Sequence, residues 1–411
     1  MNILYFAQFY SPESIAGAFR AADHAKLWVQ EGHDVTVFTG WPNYPAGKIF
    51  DGYEVGALAE EHDGSVRILR SRSLIRPNTS FRKRVISGTS FLAYGALNCL
   101  VRRRRVGVEY DIVLASCGPV FPGLLGRFYA GLLKTPLVVE FRDITYKQMV
   151  ATGTRPESWK VRLMKGLELS LCRKADHVVV LTNGFMDVLE SEGIPAGKMS
   201  VVPNGADTIP CEHRWPQSGR LRLGYFGTMG ISQDVPTTLA YAKTLVEEGM
   251  DISYLLIGEG AARALVEKGI SSGSYRFAML MHGVSKDELE PRYAQVDMTV
   301  VSLQKSESFA ATIPSKIFQS FARGVPVLFV GPEGEAANLV RESGAGIALC
   351  GTELEDVRAL SSFASSEDLA ERLCEMSANA VSFMESRYTR RRMAEKMLHV
   401  LSRIADRIVS G

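Results

Sequence analysis

The stretch IPSKIFQSFARGVPVL, residues 313–328, decides the fold of the second half of the chain. Pro314 suits the first turn of a helix, because its missing N–H is not needed there. Apolar residues then recur at helical spacing as far as Phe321. Gly324 ends the helix, and the apolar run 327–330 is typical of a buried strand. The stretch therefore predicts a helix followed by a strand of a parallel sheet.

The start of this predicted helix is a candidate phosphate site. The first turn of a helix has unsatisfied N–H groups and a partial positive charge, which favour an anion. Ser315 and Lys316 would lie in that turn, and Lys316 adds a full positive charge. The alternative is an ordinary helix–strand unit with a solvated lysine, and spacing alone leaves both interpretations open.

Strands and helices alternate along both halves of the chain, which predicts two α/β domains with doubly wound parallel sheets. Predicted strands cover residues 2–7, 35–38, 66–69, 112–115, 137–141, 178–181, 221–226, 253–257, 278–281, 299–302 and 327–330. Predicted helices cover residues 18–30, 84–105, 121–133, 158–174, 235–248, 261–268, 286–294, 314–323, 335–342 and about 387–409. The polar, proline-bearing residues 206–219 predict a linker between domains at 1–205 and 220–386.

Composition agrees with this organisation. A chain of 411 residues exceeds one comfortable core, and 46% hydrophobic with 22% charged residues is typical of globular proteins. Six cysteines without a C-x-x-C pair argue against a zinc site and for a reducing, cytoplasmic compartment. The first residues lack a basic region, so no cleavable signal peptide is expected. No motif for a metal or a nucleic acid is present, so neither is expected as a ligand.

Charge is distributed unevenly in the first half. No acidic residue occurs between Asp63 and Glu109, while basic clusters at 82–84 and 102–105 flank the mostly apolar run 85–101. That run is too short and too polar to span a bilayer. It predicts an interfacial helix that binds an anionic membrane surface through residues 82–105. The alternative is a buried domain helix whose ends are basic.

The stretch at 313–328 resembles the donor-site helix of GT-B glycosyltransferases, specifically bacterial members of glycosyltransferase family 4. Further stretches resemble the same family, in the same order along nearly the whole chain. They are NILYF (2–6) with Gly17, EGHDVTV (31–37), WPNYP (41–45), EFRD (140–143), VPNG (202–205), GTMG (227–230), LIGEG (256–260) and GEAA (334–337).

This resemblance implies two Rossmann-like domains that face a central cleft, with a C-terminal helix at about 387–411 completing the N-terminal acceptor domain. The C-terminal domain would bind a nucleoside diphosphate sugar, without a metal or another cofactor. The implied reaction is transfer of the sugar to a hydroxyl acceptor, with retention of configuration, in bacterial surface polysaccharide synthesis. A lipid-linked saccharide as acceptor would explain a peripheral position on the inner face of the cytoplasmic membrane.

Three loops are candidates for binding the departing diphosphate through N–H groups and cations. The first contains Gly17 and Arg20, the second contains Gly227, Thr228 and Gly230, and the third contains Ser315 and Lys316. Each glycine has the alternative meaning of a tight turn only.

Arg142 and Asp143 follow the predicted strand 137–141 and are the other candidates for catalysis, together with Lys316. By resemblance, this position approaches the transferred sugar. Asp143 would accept a hydrogen bond from a sugar hydroxyl or act as a base, and Arg142 would contact phosphate or orient Asp143. The alternative is a structural Arg–Asp pair at a strand end.

The remaining candidates come from the second domain. Glu335 would accept hydrogen bonds from a donor hexose, or else complement the positive end of a helix. By resemblance, the loops with Gly258, His282 and Val284 hold the nucleobase, largely through backbone groups, with His282 itself interpreted as structural. Gln319 keeps a hydrogen-bond acceptor where the family has a glutamate for the ribose.

The sequence departs from the family at several of these positions. Gln319 and Ala311 stand where the family carries its paired glutamates, and Thr228 or Met229 and Gln233 stand where an arginine and a lysine are usual. Two alternatives to a glycosyltransferase therefore stay open. One is a sugar-nucleotide epimerase of the same fold, and the other is a non-catalytic relative that binds a membrane or a partner transferase.

Overall fold

The computed structural model describes residues 1–44, 47–76, 81–216 and 220–409. Pro45 of the WPNYP stretch, residues 217–219 of the predicted linker and residues 410–411 of the predicted last helix lie outside them. The chain forms two compact units. Unit 1 contains residues 1–149, 155–204 and 390–411, and unit 2 contains residues 150–154 and 205–389.

The strands of the described residues, in chain order, are β1 (Asn2–Phe6), β2 (Asp34–Gly40), β3 (Leu58–Asp63), β4 (Val66–Ser71), β5 (Ile112–Cys117), β6 (Leu137–Phe141), β7 (His177–Val180), β8 (Met199–Val201), β9 (Arg220–Phe226), β10 (Asp251–Ile257), β11 (Ala278–Met281), β12 (Met298–Ser302), β13 (Val327–Val330) and β14 (Gly346–Leu349).

The α-helices are α1 (Ala16–Gln30), α2 (Phe81–Val101), α3 (Arg103–Val106), α4 (Phe121–Leu133), α5 (Thr145–Ala151), α6 (Trp159–Lys174), α7 (Asn183–Ser191), α8 (Val235–Glu247), α9 (Arg263–Ser271), α10 (Lys286–Tyr293), α11 (Ser315–Phe321), α12 (Glu335–Ser343), α13 (Glu353–Ala364), α14 (Leu369–Arg387) and α15 (Arg390–Val409). Short 3-10 turns lie at Ala196–Lys198, Ile231–Gln233 and Glu307–Phe309.

The sheet of unit 1 has eight strands in the order β3-β4-β2-β1-β5-β6-β7-β8. All neighbours are parallel except β3, which pairs with β4 in antiparallel register. The strands β1, β5 and β6 are buried along nearly their whole length, as expected for parallel strands covered by helices on both faces. Their carboxyl ends lie side by side, with Cys117 opposite Phe141, and these ends carry the candidate residues of unit 1.

The sheet of unit 2 has six parallel strands in the order β11-β10-β9-β12-β13-β14. The stretch at residues 313–328 forms α11 and β13, and the buried Ile317, Phe318 and Phe321 pack into one apolar cluster with β13. The helix is shorter than the predicted 314–323, because Pro314 has extended backbone angles and caps it from outside. Gly324 ends it in the left-handed conformation, with φ of +69°.

The sequence prediction did not include α5, α7, α13 and α14, and it gave different bounds for two other helices. The predicted helix 84–105 is divided, because Arg102 leaves helical geometry between α2 and α3. The last helix begins at Arg390 and not near 387, because α14 runs to Arg387. Within unit 1, α15 packs against α1, where the Trp28 indole N–H donates to the Ala394 carbonyl at 2.9 Å. Of the helices that the structure describes, none is long and apolar enough to cross a membrane.

Candidate active-site residues

The side chain of Arg20 is buried in unit 1 and hydrogen-bonded there through all three of its nitrogens. Its Nε donates to Glu140 Oε1 at 2.7 Å, and its two terminal nitrogens donate to the carbonyls of Pro203 at 2.6 Å and Val202 at 2.9 Å. Both side chains of the Arg20–Glu140 ion pair are buried. The pair ties α1 to the end of β6 and to the chain after β8, so Arg20 has a structural task, and its binding of phosphate stays a prediction.

Glu140 remains a carboxylate in spite of its burial. Burial raises its pKa, but the charge of Arg20 and a hydrogen bond from the Ser116 hydroxyl at 2.7 Å outweigh this, and the pKa lies below its usual range. A buried ion pair that keeps its hydrogen bonds is costly to break from one side. Glu140 therefore fixes the end of β6, from which Arg142 and Asp143 project.

Arg142 lies immediately beyond β6, and Gly17 lies in the first turn of α1. A methyl group built on Gly17 would lie only 2.0 Å from Nη1 of Arg142, so the guanidinium occupies the space that a side chain at position 17 would need. The alternative of a structural Arg142–Asp143 pair is not supported, because no ion pair joins these two described residues. Arg142 acts on its neighbour only through its charge, which lowers the Asp143 pKa against the larger effect of burial.

Asp143 is placed for proton transfer near neutral pH. Its Oδ1 accepts a hydrogen bond from Gln148 Nε2 at 2.7 Å. Burial raises its pKa to about 6, although Arg142 and Gln148 oppose this. A carboxyl group with such a pKa can hold or release a proton at working pH, as an acid–base group requires.

Glu168 is a residue near this site that sequence reasoning missed. It lies on the buried face of α6, and its carboxylate accepts the N–H groups of Thr145 at 3.0 Å and Tyr146 at 3.3 Å. It thereby caps the start of α5, which begins two residues after Asp143. Burial raises its pKa to about 7. The only sequence signal was an acidic residue among the apolar positions of a helix.

Lys316 is the cation of the candidate site in unit 2. Its Nζ donates to the Tyr225 hydroxyl at 2.7 Å and to the Thr228 carbonyl at 3.2 Å, and it lies 4.0 Å from the centre of the Tyr225 ring. In the part of the chain that the structure describes, no carboxylate pairs with it. Burial without a counter-ion lowers its pKa to about 7.

The glycines around Lys316 allow close approach. Gly227 follows β9 with φ of +119°, a conformation that suits glycine, and a methyl group there would lie 2.9 Å from Lys316 Cε. A methyl group on Gly258 would lie 1.9 Å from the Gly227 carbonyl oxygen. The loops after β9 and β10 therefore pack backbone to backbone, joined by the Gly227 N–H to the Ile257 carbonyl at 2.8 Å.

The other residues of the loop after β9 have different environments. Thr228 is exposed, whereas Met229 is fully buried in the core of unit 2 and has no access to a ligand. Gly230 leaves room for Gln233, whose Oε1 would lie 2.4 Å from a methyl group at position 230.

On α11, Ser315 begins the helix, and Gln319 lies one turn further along. Both side chains are half-buried. Neither makes a side-chain hydrogen bond to any residue that the structure describes. Both are thus available to a ligand, and their binding roles stay predictions.

The predicted nucleobase loops are organised by Glu259, which sequence reasoning did not select. Its Oε1 accepts the His282 Nδ1–H at 2.8 Å and the Gly283 N–H at 3.2 Å. The His282 hydrogen bond lowers the Glu259 pKa, and His282 itself is largely exposed. Arg263 joins the same loops by donating to the carbonyls of Gly258 at 2.7 Å and Met281 at 2.8 Å. Val284 packs against an adjacent apolar cluster.

Glu335 is the first residue of α12 and is half-buried. Its N–H donates to the Ala310 carbonyl at 2.8 Å, and a methyl group on Gly334 would lie 2.2 Å from the same oxygen. The position suits both interpretations of Glu335, the sugar contact and the complement to the helix dipole. Across the described residues, no group of three or more His, Cys, Asp or Glu side chains is arranged to hold a metal ion.

Solved structures share the fold over nearly the whole chain. The sucrose-phosphate synthase of Thermosynechococcus elongatus matches with a TM-score of 0.73 and 15% identity, covering 98% of each chain. Anabaena HepE, solved in complex with UDP-glucose, matches with a TM-score of 0.63 and 14% identity, covering 98% of this chain and 99% of that one. The two α/β units thus have the GT-B fold of glycosyltransferases, which confirms the predicted fold class.

Matches at the level of sequence indicate the class of activity. Residues 17–205 match the family described as the glycosyl transferase 4-like domain. WcaI of Escherichia coli (strain K12), named as a colanic acid biosynthesis glycosyl transferase, is 24% identical over 379 residues, which cover 88% of this chain and 90% of that protein. The chain therefore resembles glycosyltransferases in sequence as well as in fold, and this favours the transferase over the epimerase and the non-catalytic relative.

Proposed function

We propose that this glycosyltransferase moves a sugar from a nucleoside diphosphate sugar to a hydroxyl of a lipid-linked saccharide, in the synthesis of a surface polysaccharide. Unit 2 binds the donor, and Lys316 neutralises the departing diphosphate without a metal ion. The proposed stereochemical outcome is retention. The observation that carries the proposal is the environment of Lys316, a half-buried ammonium group whose contacts among the described residues are a hydroxyl, a carbonyl and an aromatic ring, all neutral.

The chemistry of this environment favours a phosphate. A buried cation without a counter-ion is destabilised, and that is why the pKa of Lys316 falls to about 7. An arriving diphosphate restores the missing counter-charge, so its binding and the protonation of Lys316 reinforce each other. The glycines at positions 227 and 258 keep side chains away from this space. The related HepE, whose structure contains UDP-glucose, supports a nucleotide sugar as the donor class.

Asp143 supplies the second part of the proposed mechanism. Its raised pKa of about 6 leaves it ionised at neutral pH yet basic enough to accept a proton. It accepts a hydrogen bond from a sugar hydroxyl, or the proton that the acceptor hydroxyl releases. The buried Glu140 and Glu168 fix the chain on either side of it, at the end of β6 and at the start of α5.

A transfer assay tests the proposal. Purified protein is incubated with UDP-, GDP- and TDP-sugars and lipid-linked saccharides in the presence of EDTA, and the products are analysed by NMR. We expect transfer from at least one donor, with retained anomeric configuration. No turnover of any donor would refute the proposed donor class, and activity that EDTA abolishes and Mg²⁺ or Mn²⁺ restores would refute metal independence.

We also propose that unit 1 binds the membrane that carries the acceptor, through a face formed by α2, α3, α4 and α6. The helix α4 packs against both α2 and α6. Apolar side chains are exposed on this face, with Val101 70% and Trp159 69% exposed. The described residues of α2, α3, α4 and α6 contain one acidic side chain, the buried Glu168, whereas Arg103 to Arg105 are exposed. Exposed apolar groups among cations match the interface of an anionic bilayer.

Vesicle sedimentation tests the membrane proposal. Changing Arg102–Arg105 to glutamine, or Trp159 to alanine, should release the protein from anionic vesicles. The control removes the same charge from exposed arginines of unit 2, by changing Arg214, Arg220, Arg276 and Arg358 to glutamine. Equal sedimentation of both charge variants and the wild type would refute a membrane role for this face.

A further inference from the structure

The guanidinium of Arg142 makes no hydrogen bond and no ion pair with any residue that the structure describes. Its Nε is fully buried and still has no partner. Arg20 shows the contrast, since all three of its nitrogens donate within the same unit. A buried donor that is left unpaired lowers stability, so such a group is expected to have a partner in the working protein.

The guanidinium lies in a slot between two backbone segments. A methyl group on Gly17 would lie 2.0 Å from Nη1, and one on Gly118 would lie 2.2 Å from Nη2. Gly118 follows β5, and the Arg142 N–H donates to the Cys117 carbonyl at 3.1 Å, so the two strand ends are held together beside the slot. Gly118 does not have a positive φ angle. A glycine is therefore needed at this position for the space that it leaves and not for its backbone conformation.

We propose that Arg142, held between Gly17 and Gly118, is a binding site of unit 1 for a phosphate or carboxylate group of a substrate. The planar guanidinium fork matches two oxygens of either group. This inference rests on the proposed function for the identity of the substrates, which are the donor diphosphate or an acidic group of the acceptor. It adds an anion site in unit 1 to the Lys316 site of unit 2, and it makes Gly118 a positioning residue.

Gly118→Ala fills the space beside the Arg142 guanidinium but leaves its charge in place. The added methyl group meets the end of a flexible side chain, which can move away, so the fold should survive while the guanidinium is displaced. The matched control is Gly166→Ala on α6, where a methyl group would meet no atom within 4 Å. Arg142→Gln removes the charge, and Arg142→Lys keeps the charge but loses the planar fork.

Calorimetric titrations test the proposal on the full chain. Inorganic phosphate and glucuronate are titrated into the Lys316→Ala background, which leaves the site of unit 1 as the anion site under test, and UDP is titrated into the otherwise unchanged protein. Arg142→Gln should weaken binding of at least one probe about tenfold or more. Gly118→Ala should weaken binding of the same probe without a change in melting temperature. Arg142→Lys should retain part of the affinity, and Gly166→Ala should bind as tightly as the unmodified protein.

The probes also distinguish the source of the anion. Weaker UDP binding in Arg142→Gln assigns the slot to the donor diphosphate, whereas weaker phosphate or glucuronate binding with normal UDP binding assigns it to the acceptor. Unchanged affinity for all three probes in Arg142→Gln and Arg142→Lys would overturn the proposal, and so would a Gly118→Ala protein that binds like Gly166→Ala. These readouts measure binding alone, so they stay informative if no donor is turned over.

Discussion

Arg142 in unit 1 and Lys316 in unit 2 are cations without a carboxylate partner among the described residues, but they differ in their hydrogen bonds and in how firmly they hold their charge. The Arg142 guanidinium lies between glycines and makes no hydrogen bond to any described residue. Lys316 donates to a hydroxyl and a carbonyl and lies over an aromatic ring. An arginine stays charged under all ordinary conditions, whereas burial lowers the pKa of Lys316 to about 7.

Changes of pH therefore act on the two units through different groups. The charge of unit 1 at Arg142 is permanent, and the group beside it that titrates near neutrality is Asp143. The charge of unit 2 at Lys316 depends on pH and on whether an anion is bound. Substitutions at Asp143 and Lys316 can test this division.

Asp143→Asn should have the largest effect. It removes the proposed proton acceptor but leaves Arg142 and Lys316 in place, so turnover should fall about 10²–10⁴-fold, the usual contribution of an acid–base group. Affinity for the nucleoside diphosphate should change little. Steady-state kinetics and calorimetry measure the two quantities separately, and turnover at the wild-type rate would show that Asp143 is structural.

Lys316→Ala should weaken binding of the nucleoside diphosphate about 10- to 100-fold. The reason is the loss of a charge-assisted hydrogen bond, worth about 1.5–3 kcal/mol. Calorimetry with EDTA present measures the change. Lys268→Ala removes an exposed lysine of the same unit and should have no effect. If both variants bind as tightly as the wild type, Lys316 has no contact with the diphosphate.

The pH profile of kcat/KM should be a narrow bell. Activity should rise as Asp143 loses its proton through a pKa of about 6, and it should fall as Lys316 loses its proton above a pKa of about 7. Lys316→Arg keeps the charge at high pH. This variant should therefore lose the alkaline limb but keep the acidic one. An alkaline limb unchanged in Lys316→Arg would assign it to another group.

The smallest effect concerns stability. The pKa of Lys316 is about 7 in the folded protein and near 10.5 in the unfolded chain. Between these values the unfolded chain binds more protons, so this group makes the free energy of unfolding rise with pH. Lys316→Met should show a weaker rise than the wild type in urea unfolding at pH 7.5 and pH 9.5. Equal rises in the two proteins would mean that the lysine titrates normally in the fold.

Local patterns were enough to predict most of the fold. Helical spacing followed by an apolar run predicted α11 and β13, which the structure confirms with a helix that begins one residue later than expected. The strand β3, Leu58–Asp63, was missed because polar and charged residues fill positions 60–63 without a break, on an edge strand whose pairing depends on β4. The break at Arg102 was missed because the sequence there is an unbroken run of arginines.

The site was only partly predictable. Strand ends located Arg142, Asp143 and Lys316, because the ends of parallel strands are where such folds bind ligands. The contributions of Gly118 and Glu168 come from contacts between distant parts of the chain, such as Glu168 with the N–H groups at the start of α5. Nothing in the local sequence separates these residues from an ordinary glycine or an ordinary helical glutamate.

The most direct test of the central claim is an NMR titration of the Lys316 side chain, with and without a saturating nucleoside diphosphate. We expect a pKa near 7 in the free protein and a pKa raised by more than about one unit when the diphosphate binds, because the ligand supplies the missing counter-charge. A pKa that is the same with and without ligand would contradict the claim that Lys316 binds the departing diphosphate.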